Sequence, residues 1–207
     1  MSGDPEPILY STSKQGPRAR LASKVGTRAR RRRHERIFSL TGVTEESRIV
    51  DIGCGRLGLR ALAPELDVTG VDITPRPEYP GPFVQADATT RLPFDDGEFD
   101  LAYSSSLVEH LAPERREAFA AELKRVARGW YVQTPAYSFP IEPHALLPFA
   151  HWLPVGLRRR YWRLGAAGYW EEIHMLRRRE MEALFGPPVA ERLGPLVKSW
   201  VSVKALV

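Results

Sequence analysis

The chain reads as an α/β protein: a mostly parallel seven-stranded sheet with helices on both faces, closed by an antiparallel C-terminal hairpin. Three observations predict this. Short apolar runs alternate with stretches of helical spacing, the pattern of parallel strands joined by covering helices. The first of these runs, Ile49–Ile52, leads directly into a glycine turn, Gly53–Gly58 (G-C-G-R-L-G). The last two runs, Val189–Leu193 and Ser199–Leu206, have only about five residues between them. That is too short for a crossover, so this pair should be antiparallel.

Taken in order, residues 1–27 are rich in Pro, Ser, Gly and basic residues without periodicity, and read as a loose N-terminal arm. A single domain then spans 28–207. Helical spacing runs from Arg28 to Leu40, with five arginines between Arg28 and Arg33 and Thr41-Gly42 as the stop. After the first strand and its turn, Leu57–Leu66 is predicted as a helix and Asp67–Val71 as the second strand, ending at Asp72. Four prolines in Ile73–Pro82 exclude a regular helix before the third strand, Phe83–Gln85. Leu92–Asp100 is a loop into the fourth strand, Leu101–Ser104. Pro113–Arg128 has a proline start, apolar Phe119, Leu123 and Val126, and Gly129 as its predicted stop. Trp130–Gln133 is the fifth strand. A long irregular aromatic insert occupies about 136–168, and Glu171–Phe185 is the final predicted helix.

Composition narrows the function classes. Hydrophobic residues at 43% and charged residues at 27% are ordinary for a soluble globular domain. The net charge of +5 is modest, and the basic residues cluster locally at Arg28–Arg33, Arg158–Arg160 and Arg177–Arg179. One cysteine, Cys54, excludes an internal disulfide and a Cys-rich metal site, and no metal is expected. The N-terminus lacks the basic-then-apolar pattern of a signal peptide, and no apolar run reaches the ~18–20 residues that span a bilayer. The expected location is cytoplasmic.

The glycine turn brings backbone N–H groups to the carboxyl end of a strand, where a nucleotide-like ligand binds. Gly53, Gly55 and Gly58 match the dinucleotide spacing, and Asp72 lies 19 residues after Gly53, so a nicotinamide-dependent oxidoreductase is a rival reading. Asp51 opposes it, because an acid just before the turn suits a ligand with a cationic amino group. Asp87, after the third strand, suits an exocyclic amine, and the closing antiparallel hairpin is not a dinucleotide-fold ending.

The motifs V-D-I-G-C-G (Val50–Gly55), V-D-I (Val71–Ile73), Q-A-D-A (Gln85–Ala88), L-P-F-D-D-G-E-F-D-L (Leu92–Leu101) and S-L-V-E-H-L (Ser106–Leu111) occur in that order. Together they resemble class I S-adenosylmethionine-dependent methyltransferases, most closely the type-11 family, over about Arg33–Leu206. The resemblance implies a Rossmann-like fold and S-adenosylmethionine as cofactor. It implies that Asp51 holds the methionyl amino group while the backbone of Gly53, Cys54 and Gly55 passes against the cofactor. Asp72 would accept from the ribose hydroxyls and Ile73 would line the adenine. Asp87 and Ala88 would meet the adenine edge, and Ser104 and Ser105 would close over the methionyl part. One departure is that Leu57 stands where the family commonly has a third glycine, and Gly58 follows it.

Candidate catalytic residues are His110, beside Glu109, and Glu142 and His144 in the insert. Positioning and packing roles compete with a general-base role for these groups. Methyl transfer to a good nucleophile needs chiefly alignment and desolvation. The insert leaves the sheet at its ligand-binding edge and should act as a lid. A small or lipid-like acceptor is the leading expectation. The apolar stretch Ala145–Leu157 followed by Arg158–Arg160 also suits contact with a membrane surface. An RNA or other nucleic-acid acceptor, and a cofactor-binding protein without turnover, are the alternatives.

Overall fold

The computed structural model describes residues 35–165 and 170–206. The N-terminal arm and the arginine run at Arg28–Arg33 lie outside those residues, as do Gly168 and Tyr169. Seven strands form one sheet: β1 (Arg48–Ile52), β2 (Asp67–Asp72), β3 (Phe83–Gln85), β4 (Phe99–Ser105), β5 (Ala127–Pro135), β8 (Val189–Leu193) and β9 (Leu196–Lys204). Their order is β3-β2-β1-β4-β5-β9-β8. The first five pair in parallel, while β9 runs antiparallel to both β5 and β8. The predicted closing hairpin is therefore present, and β9 begins at Leu196, earlier than its alternation suggested.

Each face of the sheet has its own apolar core. On one face α2 (Arg116–Val126) and α4 (Arg178–Phe185) pack Phe119, Leu123, Met181 and Phe185 against Val50, Ile52 and Ala102. On the other, α1 (35–41) and the segment after the glycine turn bury Ile37, Leu59 and Leu66 against Ile49, Val68 and Tyr131. The insert builds a third cluster from Ala145, Leu147, Ala150, Trp162, Ile173 and Met175. It is less irregular than predicted. A short hairpin of β6 (Ile141–Glu142) and β7 (Leu147–Pro148) is followed by α3 (Val155–Trp162).

Three predicted elements need correction. Leu57–Leu66 is a succession of turns, not a regular helix, with mixed bonds such as Ala61 N–H to Leu57 O and Leu62 N–H to Leu59 O. The cause is Gly58, whose φ of +56° lies outside the right-handed helical region. Second, α2 ends at Val126 and Gly129 lies inside β5. A Cβ on Gly129 would stand 2.6 Å from Lys204 O, so the glycine serves the close approach of β9. Third, the last helix starts at Arg178, not at Glu171. The chain before it is extended because its backbone bonds go elsewhere: His174 N–H donates to Glu109 O at 2.8 Å, and Tyr137 N–H donates to Leu176 O at 3.0 Å.

Candidate active site at the carboxyl ends of β1, β2 and β4

The glycine turn is fastened to β2. Gly53 and Cys54 both donate backbone N–H to Val71 O, at 2.8 and 3.1 Å, and Gly55 N–H donates to Asp72 Oδ2 at 3.0 Å. Asp72 also accepts from Thr74 N–H at 2.9 Å and from Arg76 at 3.3 Å, through Oδ1. Its carboxylate thus stands at the end of β2, beside the turn. Ile73 follows it, 61% exposed. On the side of Gly55 where a Cβ would project, no atom of the described residues lies within 4 Å.

Asp51 lies beneath the turn, 1% exposed, with Oδ2 accepting Leu59 N–H at 2.6 Å. A Cβ on Gly58 would overlap that oxygen and press on Tyr79 and Cys54. The late third glycine is therefore explained: position 58, not 57, lies against the acid. Burial raises the Asp51 pKa to about 7; the Leu59 N–H opposes the rise, and Asp72 adds to it. The buried Cys54 thiol is pushed up by burial and by the same two aspartates, so it is no thiolate nucleophile.

Asp87 closes an Asx turn onto Thr89, with Oδ1 accepting from both Thr89 N–H (2.9 Å) and its hydroxyl (2.7 Å), while Oδ2 pairs with Arg115 at 2.6 Å. Burial acts to raise its pKa, but Thr89 and Arg115 outweigh it and hold the carboxyl below its usual range. Ala88, next to it, packs against the α2-side core. Ser104 is buried and donates its hydroxyl to Ile52 O at 2.9 Å, locking β4 to β1. The Ser105 hydroxyl lies 2.6 Å from Gln133 Oε1. Both serine side chains are thus spent on hydrogen bonds within the sheet.

The other half of the site gathers residues from four distant stretches. Just past β4, Glu109 and His110 sit on a single 3-10 turn, Val108–His110. His110 Nδ1 lies 2.6 Å from Glu171 Oε1, and His144 Nδ1 lies 2.6 Å from Glu142 Oε1. The two imidazoles meet edge to face, with centroids 4.9 Å apart. Glu142 is buried and also accepts Ala145 N–H at 2.6 Å. Glu109 is 0% exposed and accepts the Thr134 hydroxyl at 2.8 Å through Oε2. All three residues singled out for chemistry, His110, Glu142 and His144, therefore belong to one cluster.

Comparison with known proteins agrees with this architecture. Residues 50–129 match the family model described as a methyltransferase domain, of type 11. The PH0226 protein from Pyrococcus horikoshii OT3 superimposes with a TM-score of 0.61 at 16% identity, over 97% of this chain and 96% of its own. A Burkholderia thailandensis 1,6-didemethyltoxoflavin-N1-methyltransferase, crystallised with that substrate and S-adenosylhomocysteine, gives 0.50 at 15% identity over 76% and 69%. A SAM-dependent methyltransferase from Methanosarcina mazei gives 0.49 at 20% identity over 80% and 95%. No curated protein sequence matches the chain. The sheet order and closing hairpin are those of a Rossmann-like class I methyltransferase fold.

The cluster's electrostatics favour charge on His110. Burial alone would lower its pKa, but the Glu171 hydrogen bond and the nearby Glu109 and Glu142 raise it further than burial lowers it. Glu171 in turn is held low, first by its bond to His110. Burial raises the Glu109 pKa, against the influence of His110 and the Thr134 hydroxyl. Sequence spacing did not single out Glu171. It lies 61 positions from His110 and read as the start of a helix. Tyr79 was likewise missed, although its ring fills the space above Gly70 and Gly58.

Proposed function

We propose that this protein transfers a methyl group from S-adenosylmethionine to a small-molecule or lipid-like acceptor bound between the β4 end and the insert. The observation that carries the reading is the division of the site. The glycine turn with Asp72 lies on one side, where Gly53 packs against Leu107, and a separate polar cluster partly supplied by the insert begins at Glu109, two residues on.

The residues present fit the cofactor. The open side of Gly55 admits a ligand against the backbone, and exposed Ile73 offers an apolar edge for a base. A ligand ammonium near Asp51 would relieve the burial that raises its pKa, converting a destabilised carboxylate into a paired one. The cofactor supplies an electrophilic methyl on sulfur with a neutral leaving group. The chain then has three tasks: to align the acceptor in line with that bond, to exclude water, and to stabilise the acceptor's reacting atom. His110 and His144, fixed by Glu171 and Glu142, are placed for the last task. The insert, acting as a lid, does the second.

Two features bear on the acceptor. A cavity of about 290 Å³ between the insert and α2 is lined by Arg116, Arg158, Arg177, His151 and His174, with Glu180 as its acid, which suits an anionic substituent. The insert also exposes Leu146, Phe149, Trp152, Val155 and Leu157 beside exposed Arg159 and Arg160. That combination supports an acceptor drawn from a lipid surface. No helix among the described residues is long and apolar enough to cross a membrane.

Calorimetric titration of the purified protein with S-adenosylhomocysteine tests the cofactor half. Saturable binding supports it, and a folded protein that binds none overturns it. Transfer of labelled methyl into small-molecule, lipid and RNA fractions of a cell extract tests the acceptor half. Label confined to RNA would replace the acceptor assigned here.

A further inference from the structure

The cluster at the insert also brings together three side chains of the kind that ligate metals. One ligand-type atom from each of Glu109, His110 and His144 lies within 4.8 Å of the other two. We propose that these three side chains bind a divalent first-row transition metal ion such as Zn2+, with Glu142 and Glu171 as its supporting carboxylates.

Four observations converge on this site. In each imidazole, Nδ1 is tied to a glutamate at 2.6 Å, which leaves Nε2 as the free nitrogen. A carboxylate on the far nitrogen is how metal-ligating histidines are usually oriented and made more basic. Glu109 is wholly buried, yet its Oε1 has no hydrogen-bond partner among the described residues, whereas Oε2 is satisfied by Thr134. A buried, unpartnered carboxylate oxygen is costly unless a proton or a cation meets it. Three carboxylates, Glu109, Glu142 and Glu171, also converge on only two imidazoles. The Arg116 guanidinium is directed to Glu180, Leu111 O and His174 O. Finally, two histidines and one carboxylate form the facial donor set that leaves coordination positions open.

Donor atoms around a tetrahedral ion stand about 3.4 Å apart, given bond lengths near 2.1 Å. The donor atoms, within 4.8 Å of one another, therefore have to draw together by up to about 1.4 Å on binding. Such an ion would bind the insert to the turn after β4, because His144 comes from one and Glu109 and His110 from the other. Its open positions would face an acceptor carrying oxygen or nitrogen donors. A hydroxyl bound there would lose its proton more readily.

The metal site stands on its own geometry; only the ion's part in catalysis rests on the methyltransferase reading. The test is accordingly independent of methyl transfer and of cofactor binding. Tag-free full-length protein, stripped with chelator, is titrated with Zn2+ by calorimetry and with Co2+ by visible absorption. One equivalent of Zn2+ is expected, together with Co2+ d–d bands and no thiolate charge-transfer band, since Cys54 lies at the glycine turn. His144→Ala and Glu109→Gln should each weaken binding by at least about 100-fold. Glu171→Gln should weaken it by about 10-fold, through the orientation of His110. Circular dichroism establishes that each variant is folded. Folded wild-type protein that takes up no stoichiometric metal overturns the proposal. So does equal affinity in wild type, His144→Ala and Glu109→Gln.

Discussion

The two ends of the site are built in different ways. The glycine-turn end comes from contiguous stretches at the tips of neighbouring parallel strands, and its key contacts are backbone to backbone or backbone to carboxylate. Val71 O, Asp72 and Asp51 hold the turn through N–H groups of Gly53, Cys54, Gly55 and Leu59. The end proposed for the acceptor joins side chains far apart in sequence, as in Thr134–Glu109 and His110–Glu171, 25 and 61 positions apart. A backbone-defined site binds a constant ligand and tolerates little change. A site defined by side chains on an insert can be re-specified without disturbing the sheet. The contrast predicts that damage at one end spares the other.

The largest effect should come from Asp72→Ala. It removes the proposed ribose acceptor and the anchor of Gly55 N–H together, and charge-assisted bonds are worth about 1.5–3 kcal/mol each. Affinity for S-adenosylhomocysteine should fall by about 100-fold or more in calorimetry, with the circular dichroism spectrum unchanged. A loss of only a few fold would remove Asp72 from the cofactor site.

Gly58→Ala comes next and acts on stability. The added Cβ meets the Asp51 carboxylate in a left-handed conformation that itself costs about 1–2 kcal/mol. A total loss of about 2–3 kcal/mol is expected, lowering Tm by several degrees. An unchanged Tm would mean that the turn can rearrange around a side chain.

His144→Ala should reverse the pattern. Cofactor affinity should stay within about 2-fold, whereas turnover with an identified acceptor should fall by about 10- to 30-fold, the range set by losing a positioned polar group. A large loss of cofactor affinity instead would show that the two ends are not separate.

The pH dependence of stability isolates Asp51. Its pKa, near 4 in an unfolded chain, rises to about 7 on folding. Between those values the folded state keeps a proton that the unfolded state has lost. The contribution is therefore complete below about pH 4 and is lost as pH rises through about 7. Each pH unit in that window costs at most about 1.4 kcal/mol. Chemical denaturation across pH 4–8 should show this fall in the ligand-free protein and a shallower one in Asp51→Asn. S-adenosylhomocysteine should reduce it as well, because an ammonium beside Asp51 favours the ionised form.

Arg115→Ala should have the smallest effect. It frees Asp87 Oδ2 from a half-exposed ion pair, a class of contact worth about 0–1 kcal/mol. Cofactor affinity should change by less than about 3-fold. A gain would indicate that Arg115 competes with the adenine edge for Asp87, and a large loss that the pair itself holds the loop in place.

How much was legible along the chain follows the same division. Alternating apolar runs located all seven strands, and the short link before the last one required the antiparallel hairpin, because strand period and loop length are local properties. Asp51, Asp72 and the glycines stood out because a strand-to-turn site uses consecutive residues. Helix limits were less legible. Leu57–Leu66 had helical spacing, but Gly58 is held in a left-handed conformation against the buried Asp51, and Glu171–Ile173 was drawn into an extended seam by Glu109 O. His110, Glu142 and His144 could be named singly, yet nothing in their spacing placed them side by side or added Glu171. That arrangement depends on the insert folding back over the end of β4. Local pattern therefore specified the scaffold and the glycine turn with its flanking acids, whose contacts are with near neighbours at the strand ends. Only tertiary packing specified the end proposed for the acceptor, where ionisable groups from three separated segments are brought together and shift one another's titration.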